Sequence, residues 1–204
     1  MRTLLIATRN AGKLKEIKKL LNDLPLNIVD LSGYPSIETV AESGDTFADN
    51  ASLKARGYAQ QAGVLTLADD SGLMVDALDG APGVHSARFA GEGATDSERT
   101  AKLLRALALI PQSQRGARFA SVIAIAQNDG EIINVSVGEC GGQIACKPRG
   151  DRGFGYDPIF IPEGFTLTFG QLDAAVKNRI SHRARALSKT VTFLRALTAA
   201  SRDV

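Results

Sequence analysis

Cysteine and histidine are scarce, with two of each in 204 residues. Cys140 and Cys146 lie in a glycine-rich stretch and match neither a CxxC motif nor a metal-ligand spacing. No disulfide framework and no Cys/His metal centre is expected, and a reducing cytoplasm is the natural setting. An excess of charge is missing too. The 24 basic and 22 acidic residues leave a net charge of +2, a balance that argues neither for nor against nucleic acid, so any basic site is local; no nucleic-acid partner is expected. Long apolar runs are absent. Leu4-Leu5-Ile6-Ala7 near the start is too short for a signal-peptide core, and nothing reaches bilayer length, so no membrane partner is expected. There is no internal repeat and no low-complexity segment. What remains is an ordinary globular composition, 44% hydrophobic and 23% charged, in a length that suits one bilobal domain over residues 1–204.

The chain is organised around Ala68-Asp69-Asp70-Ser71-Gly72. The apolar run Val64 to Ala68 reads as a buried strand that opens onto two carboxylates and then a Ser-Gly turn. Carboxylates at the mouth of a buried strand need a metal ion, a cationic side chain or backbone donors to compensate them. Side chains alternate along a strand, so Asp69 and Asp70 cannot both aim at one point while that geometry persists. One faces a site and the other braces the turn.

Around this stretch the pattern alternates strand and helix. Thr3 to Ala7 reads as a strand. Thr8-Arg9-Asn10-Ala11-Gly12-Lys13 opens a helix with Asn10 as N-cap and Pro25 near its stop, although the loop lacks the GxxxxGK[ST] of a Walker A motif. Strand, polar loop and helix start together make an anion site, and Lys13 in the first turn suits a phosphate ligand. Asn27 to Leu31 reads as a second strand. A helix over about 46–62 carries Asn50 and Lys54 one turn apart, closes at Gly63, and starts at Thr46 with Asp49 as its capping-box partner. Glu42 approaches from the preceding loop. A third helix spans Thr95 to Ile110, with Glu98 completing its box. Residues 118–127 and 131–138 read as a hairpin around Asn128-Asp129-Gly130, with a separate strand near Gly142 to Ala145. A long glycine-rich loop over 148–158 follows, then a short strand at 159–161. A helical stretch from Leu172 breaks near Lys177 to Ile180, and Ser181 caps the final helix.

Three loops therefore concentrate chemistry: 8–13, 150–157 and 177–183. Phe154-Gly155-Tyr156-Asp157 offers aromatic faces between glycines that allow a planar ligand to approach. Ser181-His182-Arg183 puts a titratable donor and a guanidinium at a helix start. Lys13, Lys54, Lys177 and Arg183 supply positive charge for phosphates. Glu42, Asp69 and Asp70 supply hard oxygen ligands for Mg²⁺. Phosphoanhydride hydrolysis needs both, with a group to position or deprotonate water.

These residues closely resemble the inosine triphosphate pyrophosphatase family. The matching blocks are Thr8 to Lys13; Glu42 with Thr46-Phe47, Asn50-Ala51 and Lys54-Ala55; Ala68 to Leu73 with Gly80 to Gly83 and Ser86 to Arg88; Gly153 to Pro158; and Lys177 to Arg183. The resemblance implies an elongated α/β fold, a mixed central sheet flanked by helices, with two lobes around a nucleotide-binding cleft. It implies hydrolysis of ITP, dITP and XTP between the α and β phosphates, with Mg²⁺ as cofactor, by a cytoplasmic homodimer. By the same resemblance, Thr8, Arg9, Asn10, Ala11, Gly12 and Lys13 hold the triphosphate, with Lys54 adding charge. Asp70 accepts a proton and binds Mg²⁺ with Glu42, with Asp69 a third candidate ligand. Ser71 contacts substrate. Phe154, Gly155, Tyr156 and Asp157 cradle the base, and Lys177, His182 and Arg183 complete the nucleotide site. His85 stands where tyrosine is common in the family, and Ala174-Ala175-Val176 where acidic residues are common.

Donors such as the Arg183 guanidinium or a backbone N–H favour the 6-oxo group of inosine and xanthosine over the amino group of adenine. A buried donor left facing that amino group costs about 1–3 kcal/mol. Guanine shares the 6-oxo group, so its rejection must come from the 2-position. A non-hydrolytic nucleotide sensor on the same scaffold is the alternative. A hydrolase of pyrimidine triphosphates would share the phosphate machinery.

Overall fold

The computed structural model describes residues 2–200. A six-stranded mixed sheet runs through it in the order β2-β1-β3-β4-β5-β6. The strands are β1 (Thr3–Ile6), β2 (Asn27–Asp30), β3 (Leu65–Val75), β4 (Gly116–Ala126), β5 (Ile132–Ile144) and β6 (Phe160–Pro162). The helices are α1 (Ala11–Leu21), α2 (Phe47–Ala62), α3 (Asp96–Ala106), α4 (Ala174–Ile180) and α5 (His182–Ala200). β1 pairs in parallel with both β2 and β3, while β5 and β6 are antiparallel. By internal contacts the chain forms two compact units. No helix among the described residues is long and apolar enough to cross a membrane.

The first unit comprises residues 2–70, 121–138 and 183–200 of the described chain. Strand alternation builds it in three layers. Leu4 and Ile6 of β1, Leu65 and Leu67 of β3 and Ile123 and Ile125 of β4 point to one face, where they pack with Ile17 and Leu21 of α1 and Leu187 and Leu194 of α5. Leu5, Ala68, Val122 and Ala124 point to the other face, against Ala51, Ala55, Tyr58 and Ala59 of α2. The small residues of α2 bring its axis close to the sheet. Its ends follow local chemistry: Thr46 accepts from the Asp49 N–H at 3.1 Å, and Gly63 closes the helix at φ 67°. The capping box is only half made, because the Asp49 carboxylate meets the Thr46 hydroxyl. Aspartate is one methylene shorter than the glutamate that completes such a box. In α3 the full box forms between Thr95 and Glu98.

The second unit comprises residues 71–120 and 139–182. Its core includes an aromatic cluster: Phe119, Phe160 and Phe169 gather with Leu103 of α3, Leu107 just past its end, and the loop carrying Tyr156 and Ile159. The Phe119 and Phe160 rings meet edge-on at 4.7 Å.

Four local expectations are corrected. No turn follows Asp70; β3 continues to Val75, because the Leu73 N–H finds the Ser86 hydroxyl at 2.9 Å and Met74 bridges to Pro82. Sheet partners outweigh the turn preference of Asp-Ser-Gly. Residues 131–138 and 142–145 are not separate strands but parts of β5. Gly142 marks a close approach, since a Cβ there would sit 2.2 Å from the Ile161 carbonyl oxygen. α3 ends at Ala106, short of Ile110. α4 runs through Lys177 to Ile180 without a break, and the interruption comes at Ser181. Cys140 is buried, Cys146 is exposed, and they form no disulfide.

Candidate functional site

Alternation along β3 sends its two carboxylates to different helix layers. Asp69 follows Leu65 and Leu67 toward α1 and α5, and Asp70 follows Ala68 toward α2. Each then meets the cations of its own layer.

On the α1/α5 face, Asp69 is fully buried. It pairs with Lys13 at 2.8 Å, accepts from the Ser121 hydroxyl at 2.5 Å and lies 3.5 Å from the Arg183 guanidinium. Arg183, also fully buried, pairs further with Glu16 of α1. Burial pushes the Asp69 carboxyl up, but the Lys13 ammonium and the Arg183 guanidinium outweigh it and hold it well below the carboxylate range. Burial opposes the Arg183 charge, yet Asp69 and Glu16 keep it protonated. Asp69 is thus an acceptor surrounded by donors. Lys13 stands at the start of α1, where Asn10 accepts the Lys13 N–H at 3.0 Å and the Thr8 hydroxyl accepts the Asn10 N–H at 3.2 Å. Arg9 is exposed and donates to the Ile37 carbonyl.

On the α2 face, a single buried lysine joins two carboxylates. Lys54 lies 2.8 Å from Asp70 Oδ1 and 3.0 Å from Glu42 Oε1. Burial pulls the ammonium down, and the charges of Asp70 and Glu42 reverse that, so its value is raised and it stays charged. Burial raises the Asp70 carboxyl above its ordinary value against the opposing charge of Lys54. Asp70 Oδ2 is buried and has no hydrogen-bond partner. A buried orphan oxygen is costly and marks a place for a ligand or a proton. Among the described residues no group of three His, Cys, Asp or Glu side chains is poised around one metal position. Two carboxylates suit Mg²⁺, which keeps several waters and takes its remaining ligands from phosphates. The Glu42–Asp70 pair fits that cation.

In the second unit, the 153–157 loop is held by its own backbone. The Phe154 N–H donates to Asp157 at 2.8 Å, and the Gly155 N–H donates to Asp96 of α3 at 2.6 Å. Lys177 reaches Asp157 at 2.5 Å and lies over the Phe154 ring at 4.7 Å. Phe154 is half-buried, so it is the ring of this loop that retains an exposed surface. Tyr156 is not a stacking face: it is buried, and its hydroxyl donates to the Ser86 carbonyl at 2.9 Å. Burial pushes the phenol well above its ordinary value, so it remains a donor. Tyr156→Phe is expected to lower stability by about 1 kcal/mol, read by urea denaturation. His182 is buried and stacks on Phe119 at 4.7 Å, and Ser71 is half-buried on β3.

Four supporting residues escape a reading by motif: Glu16, Asn50 as a loop anchor, Ser121 and Asp96. Glu16 had no local signal, because its partner Arg183 lies 167 residues away. Ser121 and Asp96 had none, because their partners are 52 and 59 residues away.

A model described as the Ham1 family matches residues 4–193. Over 194 residues the chain is 49% identical to a dITP/XTP pyrophosphatase of Desulforamulus reducens, covering 95% of this chain and 96% of that relative. It is 44% identical over 195 residues to a dITP/XTP pyrophosphatase of Oceanobacillus iheyensis, covering 95% and 98%. Among solved structures, a HAM1 protein from Coxiella burnetii superposes with a TM-score of 0.87 at 43% identity, covering 95% of this chain and 98% of that one.

Proposed function

This chain belongs to the Ham1 family, and from that premise we propose that it hydrolyses non-standard purine nucleoside triphosphates, dITP, ITP and XTP, to the monophosphate and pyrophosphate. The observation that carries the chemistry is the unpartnered Asp70 Oδ2 beside a lysine shared with Glu42. Oδ2 is the atom placed to take the proton of the attacking water. Lys54 holds Oδ1, which leaves Oδ2 as the basic position, and burial raises its proton affinity toward that of a working base. Glu42 and Asp70 would hold Mg²⁺, and that cation would supply positive charge for the phosphate oxygens. Asp69 is surrounded by cations and is left out of that ligand pair. Its role is to hold Lys13 at the start of α1, where Thr8 to Lys13 bind the triphosphate with their donors.

For the base, we assign Phe154 a stacking contact and Lys177 the role of fixing that ring and Asp157. Arg183, oriented by Glu16 and Asp69, reads the 6-oxo group with a fork of donors already held in place. Ser71 and His182 retain the substrate contacts that the resemblance assigns them. The single bilobal domain, the homodimer and the cytoplasmic setting belong to the same proposal. A non-hydrolytic sensor has less support, because the relatives that this chain matches over nearly its whole length are dITP/XTP pyrophosphatases.

The test is a product assay with dITP, XTP, dGTP and dATP, with and without Mg²⁺, resolving pyrophosphate from phosphate. Monophosphate and pyrophosphate are expected from dITP and XTP, and chelation of the cation is expected to stop turnover. Release of single phosphate, equal turnover of dATP, or turnover unaffected by chelation would overturn the reading.

A further inference from the structure

We propose that Asn50 is a positioning residue that delivers Glu42 to the cation by clamping the backbone of Gly44; the inference rests on the metal-dependent hydrolysis proposed above. Asn50 lies in α2 with no exposed surface. Its Oδ1 accepts from the Gly44 N–H at 2.8 Å and its Nδ2 donates to the Gly44 carbonyl at 3.2 Å. One side chain thus satisfies both backbone groups of one loop residue, as a neighbouring strand would. The loop needs such a partner, because residues 38–44 form no helix or strand. Gly44 is also packed without slack: a Cβ there would lie 2.5 Å from Asp49 Cβ.

The clamp shares one helix face with Lys54, the lysine that joins the two proposed metal ligands. Asn50 and Lys54 are one turn apart on α2, and Glu42 is two residues from the clamped glycine. The Lys54 contact does not hold Glu42 by itself, since the Glu42 side chain is 36% exposed and such pairs are weak. The backbone must therefore be placed first, and Asn50 places it. A fully buried amide is costly in a core unless both its ends are bonded, and here both ends are spent on the loop that carries a metal ligand.

The experiment compares wild type, Asn50→Ala and Gly44→Ala. Calorimetry measures binding of the non-hydrolysable α,β-imido analogue of dITP with and without Mg²⁺, and kinetics give the Mg²⁺ half-saturation. Gly44→Ala displaces the same loop without altering the amide, and carries the test where Asn50→Ala does not fold. Metal-free affinity is expected within about twofold of wild type, because no phosphate donor is touched. The Mg²⁺ enhancement of binding is expected to fall about tenfold or more, the usual effect of losing a residue that orients a metal ligand. The Mg²⁺ half-saturation should rise by a similar factor, with kcat recovered at saturating Mg²⁺. Unchanged enhancement in the folded variants, or an equal loss with and without Mg²⁺, would overturn the role of Asn50. A wild type that neither cleaves dITP nor binds the analogue more tightly with Mg²⁺ would instead remove the functional reading itself.

Discussion

Asp70→Asn is expected to lower kcat by about 10³-fold while leaving the protein folded, the scale on which a positioned base contributes. The amide keeps the size of the side chain and an oxygen for Lys54, which lies 2.8 Å from Oδ1. It removes the basic character of the buried Oδ2, the oxygen without a partner, and one charge of the proposed cation pair. Lys54 keeps Glu42 at 3.0 Å, so it is not stranded. Three measurements check this: the rate of pyrophosphate release, circular dichroism, and the thermal midpoint. A folded variant within tenfold of the wild-type kcat would remove Asp70 from the chemistry.

Asp69→Ala is expected to act on stability, with a loss of about 3–5 kcal/mol, the scale for removing one partner from a buried ion pair. The substitution leaves the Arg183 guanidinium, 2% exposed, with one fewer carboxylate, and takes the partner from Lys13 at 2.8 Å. It also strands the Ser121 hydroxyl. Chemical denaturation at pH 7 measures the loss. The pH dependence gives an independent check. The folded carboxyl is held well below its ordinary value, so its contribution is present above the unfolded carboxylate pKa of about 4 and is lost as the pH falls below that toward the folded value. The variant is therefore expected to show a shallower acid decline than wild type. An equal slope in both would show that Asp69 does not supply the effect.

These adjacent carboxylates have opposite consequences because of one geometric rule. Successive residues of β3 face opposite sides of the sheet, and the helices on those sides carry different cations. The alternation was legible in the sequence, and so was the separation of the two carboxylates onto opposite faces of the sheet. What Asp69 braces was not. The local pattern pointed to a turn at Ser71-Gly72, whereas Asp69 instead holds α1 and α5 through Lys13 and Arg183. The aromatic loop divides in a similar way. Both of its rings were candidates for stacking, and the packing leaves Phe154 half-buried while committing Tyr156 to the core.

The sequence by itself determined the local signals: the caps at Asn10, Thr46 and Thr95, the close at Gly63, the strand periods and the residue types that chemistry on a triphosphate requires. Each depends on residues within about one helical turn of one another, so each is written in neighbouring positions. Only the tertiary structure decided the pairings. Lys54 belongs to Asp70 and Glu42, Lys13 to Asp69, and Arg183 to Glu16 across 167 residues of chain. Those choices follow from the order of strands and from which helix covers which face. Both are set by burial of apolar surface summed over the whole core, a non-directional force that no short stretch of sequence encodes.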